Sequence, residues 1–179
     1  MAVVPSGPDQ RYNANALAYF AGIATATQRV WITSAYFVPD AATLMALISA
    51  ALRGVDVRVL VPERGDVHLV NAAARSYFPA LLHGGVRLYQ YKTYVLHSKS
   101  MVVDGRWGMV GSANVDIRSF RLNFELGALV IGEATARRLE ERYLADLKQS
   151  QEVTAEFLRG YRFWQRLRDG GARLLSPLL

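Results

Sequence analysis

Helix-like and strand-like stretches alternate along this chain, and several are closed by a proline or glycine that cannot continue them. That alternation leaves few folds open. Residues 13–28 carry a helical pattern, and 29–38 form a β-rich apolar strand ended by Pro39. Asp40 is placed to cap a helix that runs through Arg53 and stops at Gly54. Residues 56–61 read as a buried strand stopped by Pro62, 67–83 as a helix ending at Gly84-Gly85, and 86–91 as a further strand. A strand at 126–131 and a helix of mixed charge at 134–150 follow. Strands apolar along their whole length need cover on both sides, so the pattern predicts an α/β fold: a mixed β-sheet flanked by helices on both faces. At 179 residues, 51% of them hydrophobic, the chain can bury a core without help. Neither a repeat nor an interior linker divides it, so residues 1–179 are expected to form one domain.

Between the strands at 86–91 and 126–131, within residues 91–118, lies a signal of another kind. His97-Ser98-Lys99 is followed after four residues by Asp104, and after six more by Gly111-Ser112-Ala113-Asn114, the string HxKx4Dx6GSxN. Around its polar members the segment from Leu96 is apolar and β-branched, Asp104-Gly105 marks a hairpin turn, and residues 107–111 return. On a strand, residues two apart share a face, so His97 and Lys99 are predicted to project together while Ser98 and Ser100 point away. An unprotonated imidazole has a lone pair free to attack phosphorus at neutral pH. A fixed ammonium beside it can neutralise the charge that gathers on the non-bridging oxygens of the transition state. Gly111 is expected to allow close backbone approach, and Ser112 and Asn114 to offer donors to the same oxygens. Glu125, in Asn123-Phe124-Glu125-Leu126, begins the next apolar strand and is the candidate to hold the imidazole N–H and fix its tautomer. Together these residues point to phosphodiester chemistry that calls for neither a metal nor a cofactor.

Every spacing of that string resembles the HKD motif of the phospholipase D superfamily, and the resemblance adds Asp104 to the catalytic set. The residue's own chemistry suggests something else, because an aspartate at a hairpin turn commonly serves the backbone. His68, at the start of a predicted helix, and His83, at its end, are expected to be structural. Other runs resemble the C-terminal half of bacterial cardiolipin synthases of the phospholipase D type. These are Val4-Pro5-Ser6-Gly7-Pro8-Asp9, Ser34-Ala35-Tyr36-Phe37-Val38-Pro39-Asp40, Arg53-Gly54-Val55-Asp56-Val57-Arg58 and Arg75-Ser76-Tyr77-Phe78. The resemblance continues in Asp116-Ile117-Arg118-Ser119-Phe120-Arg121-Leu122-Asn123-Phe124-Glu125 and in the terminal Arg173-Leu174-Leu175-Ser176-Pro177-Leu178-Leu179.

The resemblance implies a phospholipase D-like domain of the second-half type that transfers a phosphatidyl group between two phosphatidylglycerols through a phosphohistidine, at the cytoplasmic face of the bacterial membrane. Such chemistry needs one imidazole to attack and another to protonate the leaving alkoxide. One HKD string supplies one of these. The expected partner is therefore a second HKD set, from a homodimer partner or from an N-terminal half that precedes this segment, which would make the chain a truncated product or one piece of a split enzyme. His97 is nucleophile or general acid, and the sequence leaves both roles open. Two other functions also stay open, a homodimeric HKD phosphodiesterase acting on phospholipid or nucleic acid and a catalytically incomplete fragment.

Composition narrows the partners. The excess of 21 basic over 15 acidic residues, +6 in all, suits an anionic partner, phospholipid headgroups or nucleic acid, and the resemblance puts phospholipid first. The absence of cysteine excludes a disulfide framework and thiolate metal sites. No run is long enough to span a bilayer, and Pro5-Ser6-Gly7-Pro8 cuts short the apolar start that a signal peptide would need. Tyr36, Phe37 and Tyr94 are expected either to line a route for lipid or to join the core. Near the end, Val153, Phe157, Tyr161, Trp164 and Leu167 recur at helical spacing, with Arg159, Arg162 and Arg166 on another face. Such a stripe predicts one helix that either docks on the core or lies on an anionic membrane surface.

Overall fold

The computed structural model describes residues 1–93, 96–161 and 163–174. In chain order the elements are β1 (Ala2–Ser6), α1 (Ala14–Thr25), β2 (Arg29–Thr33), β3 (Phe37–Val38), α2 (Ala41–Leu52), β4 (Asp56–Pro62), α3 (His68–His83), β5 (Arg87–Tyr91), β6 (Ser100–Val103), β7 (Trp107–Gly111), β8 (Val115–Asp116), α4 (Ile117–Arg121), β9 (Glu125–Ile131), α5 (Glu133–Leu147), β10 (Ser150–Val153), α6 (Ala155–Arg159) and α7 (Phe163–Leu174). Eight strands form one sheet in the order β1-β9-β7-β6-β2-β4-β5-β10. The β2, β4 and β5 strands run parallel, and the other neighbours pair antiparallel, so the sheet is mixed.

Both faces are covered, as the apolar strands require. On one side α1, α2 and α3 bury Ile23, Leu47 and Phe78 against Val30, Ile32 and Val59 of the sheet. On the other, α5 lays Ala136 and Tyr143 over Trp31, Leu60 and Val102, with the Trp31 and Tyr143 rings stacked 5.3 Å apart. The predicted caps form: the Asp40 side chain accepts from the Thr43 N–H at 2.8 Å, and Gly54 takes φ +88° just beyond α2. Among the described residues no helix is long and apolar enough to cross a membrane.

Three expectations change. The predicted strand at 29–38 is two strands, because after Thr33 the Ser34 hydroxyl donates to the Tyr36 carbonyl and accepts from the Val115 N–H. Local side-chain bonds of this kind compete with the ladder. The chain leaves the main sheet there, and β3 pairs in parallel with β8 as a separate two-stranded sheet. The unforeseen β1, which contains Pro5, pairs with β9 at the edge of the main sheet, where a missing N–H is tolerated.

The third change concerns the terminal stripe, which is not one helix. Val153 ends β10 opposite Leu88, the Thr154 hydroxyl accepts from the Phe157 N–H to start α6, and Trp164 on α7 is 72% exposed. Buried Asp169 fixes α7 to α3 by accepting from Arg75 at 3.0 and 3.1 Å. Arg162, the side chains of Arg166 and Leu167, Tyr94 and the terminal 175–179 lie outside the described residues.

Candidate functional site

The parallel strands β2 and β4 end on the same edge of the sheet as the start of β6, the end of β7 and the start of β9. Carboxyl ends of parallel strands are where α/β folds expose loops around a crevice. Of the residues flagged in the sequence, His97, Lys99, Gly111, Ser112, Asn114 and Glu125 come to that edge, and Asp104 does not.

His97 and Lys99 precede β6 rather than lying within it. His97 is exposed, Lys99 is only 9% exposed, and the Lys99 ammonium donates to the His97 carbonyl at 2.8 Å. Burial lowers the Lys99 pKa, while Glu125, Asp116 and Asp66 oppose that shift. The bond to the His97 carbonyl and the burial of the stem give the ammonium a firm position. Asn114, 8% exposed, accepts from the Tyr36 N–H at 3.3 Å through Oδ1. Among the described residues nothing accepts from its Nδ2 group, so that donor remains available.

Two predicted roles do not match the geometry. Glu125, expected to hold the imidazole N–H, instead accepts from the Ser112 hydroxyl and, at 3.2 Å, from Asn123 Nδ2. Ser112 also accepts from the Leu126 N–H at 3.0 Å, so it latches β9 onto the segment after β7, and its hydroxyl proton is already directed at Glu125. Among the described residues no hydrogen bond reaches the His97 imidazole. Gly111 is required for a different close approach from the one expected. A Cβ there would lie 2.5 Å from the Leu126 carbonyl oxygen and 2.9 Å from Gly127 Cα, so it is β9 that comes close.

Asp104 sits at the opposite end of β6, in the turn before β7, with φ +53°. One carboxylate oxygen accepts from the Gln28 and Arg29 N–H groups, both at 2.8 Å, and the other from the Thr27 N–H at 2.9 Å and the Thr27 hydroxyl at 2.8 Å. Burial pushes its pKa up, but these backbone donors outweigh it and hold the carboxyl below its ordinary range. In this geometry Asp104 clamps the loop between α1 and β2, with the whole of β6 between it and His97. His68 and His83 are the first and last residues of α3.

Tyr36 and Asp66 were not foreseen as a pair. The Tyr36 hydroxyl donates to both Asp66 oxygens, at 2.8 and 2.9 Å, and its ring meets the His97 ring edge-on with centroids 6.2 Å apart. Burial, then the bond to Asp66, pushes the Tyr36 phenol up to about 12. The Tyr36 bond is likewise the main reason that the Asp66 carboxyl lies below its usual range, with a smaller contribution from His97. Phe37, by contrast, is a core residue, fully buried on β3. Asp116 is buried as the cap of α4, accepting from the Ser119 N–H at 2.6 Å, and burial raises its pKa. The assembled cluster offers an exposed imidazole, a fixed ammonium and a free amide donor, a set able to receive an oxyanion beside a nucleophile.

Comparison with known proteins gives a consistent result. Residues 19–147 match a family profile described as cardiolipin synthase, PLD-like domain. The cardiolipin synthase of Alkalihalophilus pseudofirmus is 42% identical over 177 residues, which cover 99% of this chain and 35% of that protein. The chain thus spans about a third of the length of the curated relatives it matches. Among solved structures, Nuc from Salmonella typhimurium, described as a phospholipase D family member, superposes with a TM-score of 0.73 at 22% identity over 86% of this chain and 99% of that one. The phosphatidylserine synthase of Haemophilus influenzae gives 0.71 at 16% identity over 99% of this chain and 48% of that one. At such identities the two structures establish a shared fold.

Proposed function

The chain belongs to the family of phospholipase D-like cardiolipin synthase domains, and from that premise we propose that it is the second-half catalytic domain of a phosphatidyltransferase, spanning residues 1–179 with its motif segment at 91–118. The observation that carries this reading is the pairing of the exposed His97 with the buried Lys99 ammonium and the free Asn114 amide at one sheet edge.

The reaction is transfer between two phosphatidylglycerols. An imidazole nitrogen attacks the phosphorus of the first, the bond from phosphorus to the glycerol oxygen breaks, and the departing oxygen takes a proton from a second imidazole. A hydroxyl of the second phosphatidylglycerol returns its proton to that group and attacks the phosphohistidine. The phosphorus–nitrogen bond then breaks and cardiolipin leaves. Lys99 and the Asn114 amide bind the non-bridging oxygens throughout, with Gly111 and Ser112 shaping the loop that carries Asn114. His97 is one of the two imidazoles. The second HKD set supplies the other, from a homodimer partner or an N-terminal half, and the assembly works peripherally on anionic lipid at the cytoplasmic face of the membrane. The net charge of +6 favours one further reading, a homodimeric phosphodiesterase in which water replaces the acceptor alcohol and nucleic acid can replace lipid.

Phosphatidylglycerol conversion and phosphodiester hydrolysis, measured while protein concentration varies and light scattering follows oligomeric state, test the proposal. The monomer should be inactive, and a chain bearing a second HKD set should restore transfer. Robust turnover by a proven monomer would overturn the two-imidazole requirement.

A further inference from the structure

A cavity of about 730 Å3 lies between the C-terminal half of α3, α6 and α7, well apart from the His97 cluster. That cluster sits at the other end of α3, and at ~1.5 Å per residue the helix is roughly 24 Å long. The volume falls within the range of small-molecule sites. Pro79 and Leu82 of α3 and Leu158 of α6 give it apolar walls. On α7 the wall is thinned by Gly170, where an added Cβ would meet nothing within 4 Å.

The charged groups around this space are unevenly matched. The one acid among the lining residues, Asp169, is already engaged by Arg75 and Arg168. Arg159 and Arg173 remain. Arg159 faces Glu156 at 3.2 Å, but both side chains are largely in water, where such a pair contributes little. Arg173 lies over the Tyr77 ring, 4.5 Å from its centroid, and makes no ion pair among the described residues. A guanidinium stacked on an aromatic face keeps its edge donors available for a phosphate.

Apolar walls with two such arginines fit a ligand that has a hydrocarbon chain joined to an anionic head. We infer that this cavity takes one acyl chain of an anionic phospholipid from the bilayer surface, with its phosphate against Arg159 and Arg173, as a tether separate from the catalytic site. Inorganic phosphate would leave the apolar walls uncovered, and a lipid without net charge would not match the two cations. The tether does not depend on the reaction proposed for His97. It also gives a use to Arg159, one of the arginines that the sequence singled out beside the terminal stripe.

The full chain should co-sediment with vesicles of phosphatidylcholine and phosphatidylglycerol, and bind vesicles of phosphatidylcholine alone much more weakly. Gly170→Phe fills the cavity while replacing a poor helix former by a better one, so the chain should stay folded and lose lipid binding. The double variant Arg159→Gln with Arg173→Gln should weaken binding about tenfold or more, on the usual worth of an arginine at an anionic surface. Arg137→Gln with Arg138→Gln removes the same charge from α5 and should leave binding nearly intact. Soluble dihexanoyl phosphatidylglycerol should compete with the vesicles, and inorganic phosphate should not. Unchanged binding by folded Gly170→Phe, equal loss from the α5 variant, or equal competition by inorganic phosphate would each overturn the inference.

Discussion

The two ends of β6 carry neighbouring parts of one motif and use their polar groups in opposite ways. At the Asp104 end every acceptor is turned inward, with four hydrogen bonds from residues 27–29 converging on one carboxylate. At the His97 end the imidazole is exposed and hydrogen-bonded to no described residue, the Asn114 amide keeps its donor, and Lys99 uses one of its three protons on a carbonyl. A saturated group serves the fold, whereas a group held in place with capacity to spare can serve a ligand.

The largest effect that would sharpen this contrast comes from the open end. Lys99→Met keeps the stem and removes a partly buried charge, so turnover of the two-set enzyme should fall roughly 10²–10³-fold, as when one preorganised donor is lost. Denaturant melts should hardly move. Turnover kept within a few-fold would break the contrast by showing that the ammonium is not directed at phosphate.

The closed end should respond the other way. Asp104→Ala strips the clamp from three backbone N–H groups, and the chain should lose about 1–3 kcal/mol of stability by urea unfolding. Activity per folded molecule should stay near that of the unaltered chain. A large drop in turnover at full stability would return Asp104 to the catalytic set.

A smaller effect lies in acid. Because the folded Asp104 pKa is below the unfolded one, its stabilisation is complete above the ordinary carboxylate value of ~3.9 and disappears as pH falls through the folded value. Asp116, whose pKa is raised, works with the opposite sign, so the useful quantity is the difference between the unaltered chain and Asp104→Asn. The two stability curves should draw together on acidification from pH 5 toward pH 3. Parallel curves would mean that the carboxylate charge is not what holds the clamp.

What the sequence made legible was mostly local. Asp40 as a cap, Gly54 as a stop and the hairpin at Asp104-Gly105 follow from residue chemistry within a few positions, and the alternation of elements was enough to predict a mixed sheet with helices on both sides. His97, Lys99 and Asn114 were legible because eighteen residues of motif contain them all. The pairing of Tyr36 with Asp66 was not, since it joins two loops thirty residues apart, and neither residue type signals such a partner. The partners of Glu125 were not legible for a related reason. Its position was anticipated, but Ser112 and Asn123 lie close enough to take both oxygens, and only coordinates reveal that competition. The terminal stripe had sound periodicity, yet β5 offered an open sheet edge that takes Val153 into β10, and α6 ends at Gly160 before α7 begins.

The two-residue ladder between β3 and β8 sets an order of events in folding. It joins segments 78 residues apart through two residue pairs, flanked by the Tyr36–Asn114 and Ser34–Val115 bonds. Closing so long a loop for so few contacts is unfavourable until other elements have already brought the ends together. The main sheet and its helices must therefore assemble first, and the β3–β8 ladder beside Tyr36 and Asn114 is completed last. A refolding chain would regain its helical signal and compactness before Tyr36 and Asn114 meet, and on gentle heating that pairing would be lost while most of its structure still stood.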